Sequence, residues 1–309
     1  MNLLLAAVLA ATSVTNPQLK DAEAVLAYLK AHPGDIALVS EGIRHNAGRS
    51  TPFASAAKII HLAAYADAVR KGTVKPGEKV KVARWNAYHL PGTDGGAHEA
   101  ALKRLKPGDT VTLDQVVSAM IEESDNAAPD LLRDRLGAKT LDRIAKTALT
   151  SLNGEILKRF GGCAQDAEAC LKAYVAAGKP VTVTLPGYDE QADWSATVNK
   201  VKPSVLRGVL SRLAKDPVAK KHLEWPMRQP GADPDTLVIG TKGGALPGVI
   251  TETMYTIQPG GKPKVTVFAM RGLPADTWAS GVRSYAHQQF IVRMATDPAF
   301  MKRVRAAVK

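Results

Sequence analysis

The chain has 309 residues, 45% of them hydrophobic, which is enough to bury one large domain or two closely packed lobes and excludes disordered and fibrous classes. Lysine and arginine outnumber aspartate and glutamate by 41 to 29, and the resulting +12 favours anionic partners such as a carboxylate substrate, an acidic polymer or a membrane surface. The basic residues are scattered as on solvated faces and no nucleic-acid motif accompanies them, so nucleic acid is not an expected partner.

The first stretch, Met1 to Thr12, holds an apolar run of about ten residues, too short to span a bilayer. It resembles the core of a secretory signal peptide but lacks a basic start, so residues 1–18 read either as such a leader or as an ordinary buried segment. No other stretch could form a stable membrane span. Asn16 to Ala31 has helical spacing through Ala24, Leu26, Ala27 and Leu29 and stops at His32-Pro33-Gly34. Asp35 to Ser40 reads as a strand, and a polar loop then leads through Pro52-Phe53 to Ser55-Ala56-Ala57-Lys58.

Ser55 and Lys58 are three apart at a helix start, which places a hydroxyl and an amine on one face: a nucleophile beside a base. The run from Ile59 to Ala66 is apolar nearly all round and predicts a buried helix, so the Lys58 ammonium is expected to be desolvated and its pKa lowered. In the first turn of a helix the Ser55 N–H is unpaired and can face a developing oxyanion. The pair is short and common, and its weight comes from two later motifs, Ser124-Asp125-Asn126 and Lys242-Gly243-Gly244.

Residues 84–98 form a Gly-rich loop with Trp85, Tyr88, His89 and His98. The loop reads either as a rim touching substrate or as a structural excursion, and its glycine spacing is not that of a phosphate loop. Thr112 is the expected N-cap of a helix carrying Val116, Val117, Met120 and Ile121. That helix breaks at Ser124-Asp125-Asn126 before a second one with Leu131, Leu132 and Leu136, so the motif sits on a helix-to-helix connection. Residues 150–195 fit no simple pattern: helical patches surround Ile156 and Leu171, Val181 to Thr184 is a short Val/Thr run, and Pro186 to Glu190 reads as a loop.

Cys163 and Cys170 could close a disulfide in an exported protein or stay as reduced thiols; their spacing is not that of a zinc site, and no metal is expected. A helix is predicted from Pro203 to Lys215. Leu237 to Lys242, Ile250 to Ile257 and Lys264 to Met270 then read as an antiparallel meander, and a long final helix is expected from Asp276.

Serine with lysine three residues on, a Ser-Asp-Asn on a helical connection and a Lys-Thr/Ser-Gly-like triplet on a strand, in this order, resemble the signature of class A β-lactamases and penicillin-binding D-alanyl-D-alanine peptidases. The stretch from Val111 to Leu132 is particularly similar to class A. The resemblance spans about residues 35–309. It implies an α+β fold in which an antiparallel sheet, flanked by N- and C-terminal helices (19–52 and 220–309), packs on an all-helical lobe (53–219).

The resemblance further implies that Ser55 is the acylated nucleophile, Lys58 its base, Ser124 the proton relay to the leaving nitrogen, and Asn126 the binder of a substrate amide. Lys242 would supply positive potential for a substrate carboxylate, with Gly243 and Gly244 beside it. Backbone N–H groups of Ser55 and Ala245 would form the oxyanion hole, and the strand would offer its edge to a peptide-like substrate. Expected partners are a small β-lactam, peptide-like or ester substrate and peptidoglycan fragments; the expected location is periplasmic or secreted, and no cofactor is expected.

Two departures stand out. Gly243 replaces the Thr or Ser whose hydroxyl the family uses on the substrate carboxylate, with Thr241 nearby as a candidate substitute. The Glu with an Asn four residues later, which activates the deacylating water in class A, has Leu149 ahead of Asn153 in its place. The carboxylates left in that region are Glu155, Asp166, Glu168, Asp189, Glu190 and Asp193. Without that base, acylation remains possible while turnover becomes slow.

Overall fold

The computed structural model describes residues 16–308, so most of the candidate leader lies outside the described residues. Nine strands are assigned there: β1 (Ile36–Ser40), β2 (Ile43–His45), β3 (Thr51–Pro52), β4 (Lys79–Lys81), β5 (Thr110–Thr112), β6 (Lys200–Val201), β7 (Val238–Leu246), β8 (Val249–Ile257) and β9 (Lys264–Met270). Five make an antiparallel sheet in the order β2-β1-β9-β8-β7, so the expected meander is present and β7 is an edge strand.

The chain folds as two compact units. One holds the sheet, with the segment up to Ala57, Gly187–Lys215, and everything from Leu223 on; the other comprises Lys58–Pro186 and Asp216–His222. Gly187–Lys215 groups with the sheet, unlike the expected lobe division, because the helix Pro203–Leu213 packs across β1, β8 and β9. Asp216–His222 groups with the helices because Asp216 pairs with Arg70, while Asp114 accepts hydrogen bonds from Tyr65 and His222, each at 3.0 Å.

In the sheet unit, alternation along the strands sorts the two faces. Ile36, Leu38, Ile250, Met254, Phe268 and Met270 point to one side, where they meet Leu26 and Leu29 of the helix Ala22–Ala31 and Phe290 and Phe300 nearer the C-terminus. The expected long final helix is three: Ala275–Ser284, Ala286–Thr296 and Pro298–Ala307. Tyr285, in the left-handed region at φ 53°, ends the first, and Asp297 caps the third ahead of Pro298.

In the helical unit, Ile59–Arg70 is buried along most of its length, as its composition predicts. Thr112 caps Leu113–Glu122 in a capping box with Gln115, with hydrogen bonds of 3.1 and 2.8 Å. The stretch that resisted reading contains the helices Leu152–Phe160 and Ala167–Ala177, packed so closely that a side chain on Gly154 would strike the Ala167 carbonyl. Cys163 and Cys170 form a disulfide, with their Cα atoms 6.0 Å apart. Residues Pro186 to Glu190 are not wholly loop, since a helix Tyr188–Ser195 begins among them, and Val181 to Thr184 forms no strand. Among the described residues no helix is long and apolar enough to cross a membrane.

Candidate active site

Ser55 lies in a 3₁₀ turn, Ala54–Lys58, that runs directly into the helix Ile59–Arg70. In a 3₁₀ turn residues three apart stand one above the other, so the tighter winding keeps the Ser55 and Lys58 positions on one face. Ala54, just before the serine, has φ 44°, a left-handed conformation unfavourable for a residue with a Cβ. The Ala56 N–H donates to the Phe53 carbonyl at 2.9 Å, and the Thr251 hydroxyl reaches from β8 to that carbonyl at 2.8 Å.

β7 continues past Lys242 through Gly243, Gly244 and Ala245, so the whole triplet is on the edge strand. A Cβ on Gly244 would stand 2.5 Å from the Ser55 nitrogen and 2.6 Å from that of Ala56, so only glycine lets the strand approach the serine turn. Ala245 is exposed. Lys242 is buried and donates to the Gly243 carbonyl at 2.6 Å. Burial brings its pKa down to about 8 against the opposing pull of Glu252, which leaves it cationic at neutral pH. Thr241 is no substitute for the missing hydroxyl, because its own donates to Glu252 at 2.5 Å.

In the helical unit the structure brings Lys58, Ser124 and Asn126 together. Lys58 Nζ donates to the Ser124 carbonyl at 2.6 Å and to Asn126 Oδ1 at 2.7 Å, and lies 3.3 Å from Ser124 Oγ. Ser124 has φ 70°, which turns the chain sharply between the helices Leu113–Glu122 and Ala127–Leu136 and presents its carbonyl and hydroxyl to the same amine. These contacts hold the Lys58 amine in a fixed place beside Ser124 and Asn126.

Asp125 holds this connection in place. Its completely buried carboxylate accepts from Trp85 Nε1 at 2.8 Å, His98 Nδ1 at 3.1 Å, and the N–H groups of Ala127 and Ala128, each at 2.9 Å. Burial alone would push this carboxyl up; the His98 bond and charge, the Ala127 N–H and the Lys58 charge outweigh it and hold it below the usual carboxylate range. The two backbone bonds also satisfy the start of the second helix.

The 84–98 loop is therefore a buttress. Trp85, Tyr88 and His98 are all buried, the Tyr88 hydroxyl donates to Asp134, and the His89 and His98 rings stack at 4.3 Å. One ligand-type atom from each of His89, Asp94 and Glu99 lies within 4.8 Å of the others. The signal for the buttress was the aspartate inside the Ser-Asp-Asn motif: a charged residue between two helices needs partners.

At the position the resemblance gives to the class A glutamate, Leu149 is 3% exposed, part of the apolar interior. Of the six carboxylates singled out, Asp166 caps its own helix, accepting from the Ala169 N–H at 2.9 Å, and Glu168 binds Arg133 and the Ser151 N–H, each at 3.0 Å. Asp189, Glu190 and Asp193 sit on the helix Tyr188–Ser195 of the other unit, and Glu155 on Leu152–Phe160. Asn153 is fully buried and donates to the Tyr88 and Asn126 carbonyls at 3.0 and 3.1 Å and to Asp130 at 3.0 Å, tying the loop to Asn126.

Asp130 behind it went unnoticed in the sequence. Burial, helped by Glu168, pushes its carboxyl up to about 7 in spite of the Ser151 and Asn153 hydrogen bonds. Between the ordinary pKa of about 4 and this value the folded chain keeps a proton that the unfolded chain has released, so stability falls as pH rises through that window. The loss is on the order of 4 kcal/mol in total, complete above about pH 7. Asp130→Asn is expected to abolish that slope in denaturant titrations at pH 4.5 to 8 and to be more stable than the wild type at pH 8.

A family model described as the beta-lactamase enzyme family matches residues 22–180, just over half of the chain. No curated protein matches it. Among solved structures, the beta-lactamase from Sphaerobacter thermophilus DSM 20745 is 19% identical, with a TM-score of 0.56 over 88% of this chain and 96% of that one. A class A beta-lactamase described as the last common ancestor of Gram-negative bacteria is 17% identical, with a TM-score of 0.55 over 89% and 98%. A mutant of PBP-A in an acyl-enzyme complex with penicillin G is 16% identical, with a TM-score of 0.51 over 88% and 96%. At these identities the likeness is one of fold.

Proposed function

Because the chain belongs to the beta-lactamase enzyme family, we propose that it is a serine hydrolase that forms an acyl-enzyme on Ser55, opening a β-lactam or cleaving a related amide or ester. The observation that carries this reading is the Lys58 amine, held by Ser124 and Asn126 and placed one turn along the chain from Ser55.

Ser55 Oγ bonds to the substrate carbonyl carbon while its proton passes to the Lys58 amine, and the carbonyl π electrons become an oxyanion. The Ser55 and Ala245 N–H groups receive that charge. As the intermediate collapses the C–N or C–O bond breaks, Ser124 gives its proton to the leaving atom, and Lys58 restores it. The contact between Lys58 and Ser124 supports that relay. Lys242, cationic at neutral pH, supplies positive potential, and Asn126 binds an amide of the substrate.

Deacylation needs a base for water, and Leu149 offers none. A second reading follows from it: a non-catalytic or acylation-only penicillin- or peptidoglycan-binding protein. The Cys163–Cys170 disulfide supports export to the periplasm or beyond.

The test mixes the protein with a fluorescent penicillin and with a chromogenic cephalosporin. Expected is a covalent mass gain on Ser55, stoichiometric and absent in Ser55→Ala, with little sustained hydrolysis. Rapid turnover would show a deacylating group elsewhere, labelling that survives Ser55→Ala would refute the assigned nucleophile, and no labelling would refute acyl transfer to these compounds.

A further inference from the structure

The residue where the family carries a carboxylate-binding hydroxyl is Gly243, and the neighbouring strand explains why. β7 and β8 pair with Gly243 opposite Glu252. A Cβ on Gly243 would stand 2.9 Å from Glu252 Oε2, so threonine or serine would be driven against a carboxylate. Glu252 is completely buried, an unusual place for an acid in a strand whose other residues are apolar or threonine.

It is held there by built partners. The Thr241 hydroxyl donates to Oε1 at 2.5 Å, Gln288 Nε2 donates to Oε2 at 2.9 Å, and His287 Nε2 lies 3.5 Å from Oε2. All three belong to the same unit as the triplet, which fixes the negative charge directly beneath Gly243. Glu252 also acts on Lys242, the cation whose charge would otherwise attract an anionic group. At the triplet a fixed anion thus stands against the one lysine. A substrate carboxylate arriving beside Gly243 would find no hydroxyl and would meet a like charge in a poorly screened interior.

We propose that Glu252 sets the substrate class of this site: it selects acyl donors that present an ammonium or uncharged group, and discriminates against those that present a carboxylate, on the side lying against Gly243. This inference rests on the acyl-transfer reading above. It makes the rate of Ser55 acylation rise monotonically from anionic to neutral to cationic substituents in an otherwise matched series.

The experiment uses the full chain and three probes: benzylpenicillin, its methyl ester and its aminoethyl amide, with acylation rates read as covalent mass gain on Ser55. Expected is a rate for the aminoethyl amide at or above that of the methyl ester, and roughly tenfold or more above that of the free acid. In Glu252→Gln, which keeps the shape and removes the charge, the ratio of methyl ester to free acid is expected to fall toward one. A free acid that reacts fastest with the wild type, or a ratio unmoved in Glu252→Gln, overturns the proposal. The wild-type ratio decides by itself if the variant does not fold. p-Nitrophenyl acetate, which carries no carboxylate, is the control: if neither it nor the penicillins label Ser55, acyl transfer fails and this inference with it. If it labels Ser55 and the charge order is reversed, only the substrate assignment fails.

Discussion

Asp125→Ala is expected to destabilise the chain by about 3–5 kcal/mol, the range seen when one partner of a buried charged network is removed. The alanine leaves the Trp85 and His98 ring N–H groups and the N–H groups of Ala127 and Ala128 without their acceptor, all in the interior. Each unsatisfied donor carries a desolvation cost. Denaturant unfolding measures the loss, and Trp85→Phe, which removes one donor and keeps the ring packing, is expected to cost only about 1–2 kcal/mol. Equal losses in the two variants would mean that Asp125 acts as a local cap and not as the hub of the loop. Because Ser124 and Asn126 flank the aspartate, folded Asp125→Ala protein is also expected to acylate more slowly.

Gly244→Ala is expected to slow acylation of Ser55 by roughly a hundredfold, the effect of displacing a reacting group by about an ångström. The added methyl would overlap the Ser55 and Ala56 nitrogens and come within 2.8 Å of the Thr251 hydroxyl. Two of these neighbours are backbone atoms, which cannot rotate away, so either β7 or the serine turn must shift. A stopped-flow comparison of acylation rates, with unfolding measured in parallel, separates the local effect from a global one. An unchanged rate would mean that the spacing of strand and turn is not what positions the nucleophile.

Much of this was legible in the sequence because the signals were local. The three runs Leu237 to Lys242, Ile250 to Ile257 and Lys264 to Met270 gave the meander, Thr112 gave a helix start, and Ser55, Lys58, Ser124 and Lys242 stood in motifs of fixed spacing. What was not legible depended on contacts distant in sequence. Glu252 and Gly243 are nine apart and meet only through strand register. Trp85 and His98 reach Asp125 across 40 and 27 residues, so the aromatic loop looked equally like a rim and like a scaffold. The single final helix was overread because its apolar positions continue in phase, while the left-handed turn at Tyr285 leaves no mark in composition.

Ala54 and Ser124, each beside a residue assigned to the chemistry or carrying it, hold a backbone shape that side chains resist. Such geometry persists only where the surrounding contacts overdetermine it. The native fold is therefore locally frustrated at the two places to which the chemistry is assigned, and on that assignment its most relaxed sequence and its most reactive one are different sequences. A redesign that made every residue conformationally comfortable would be drawn to these two positions first and would loosen the alignment that the rest of the fold maintains.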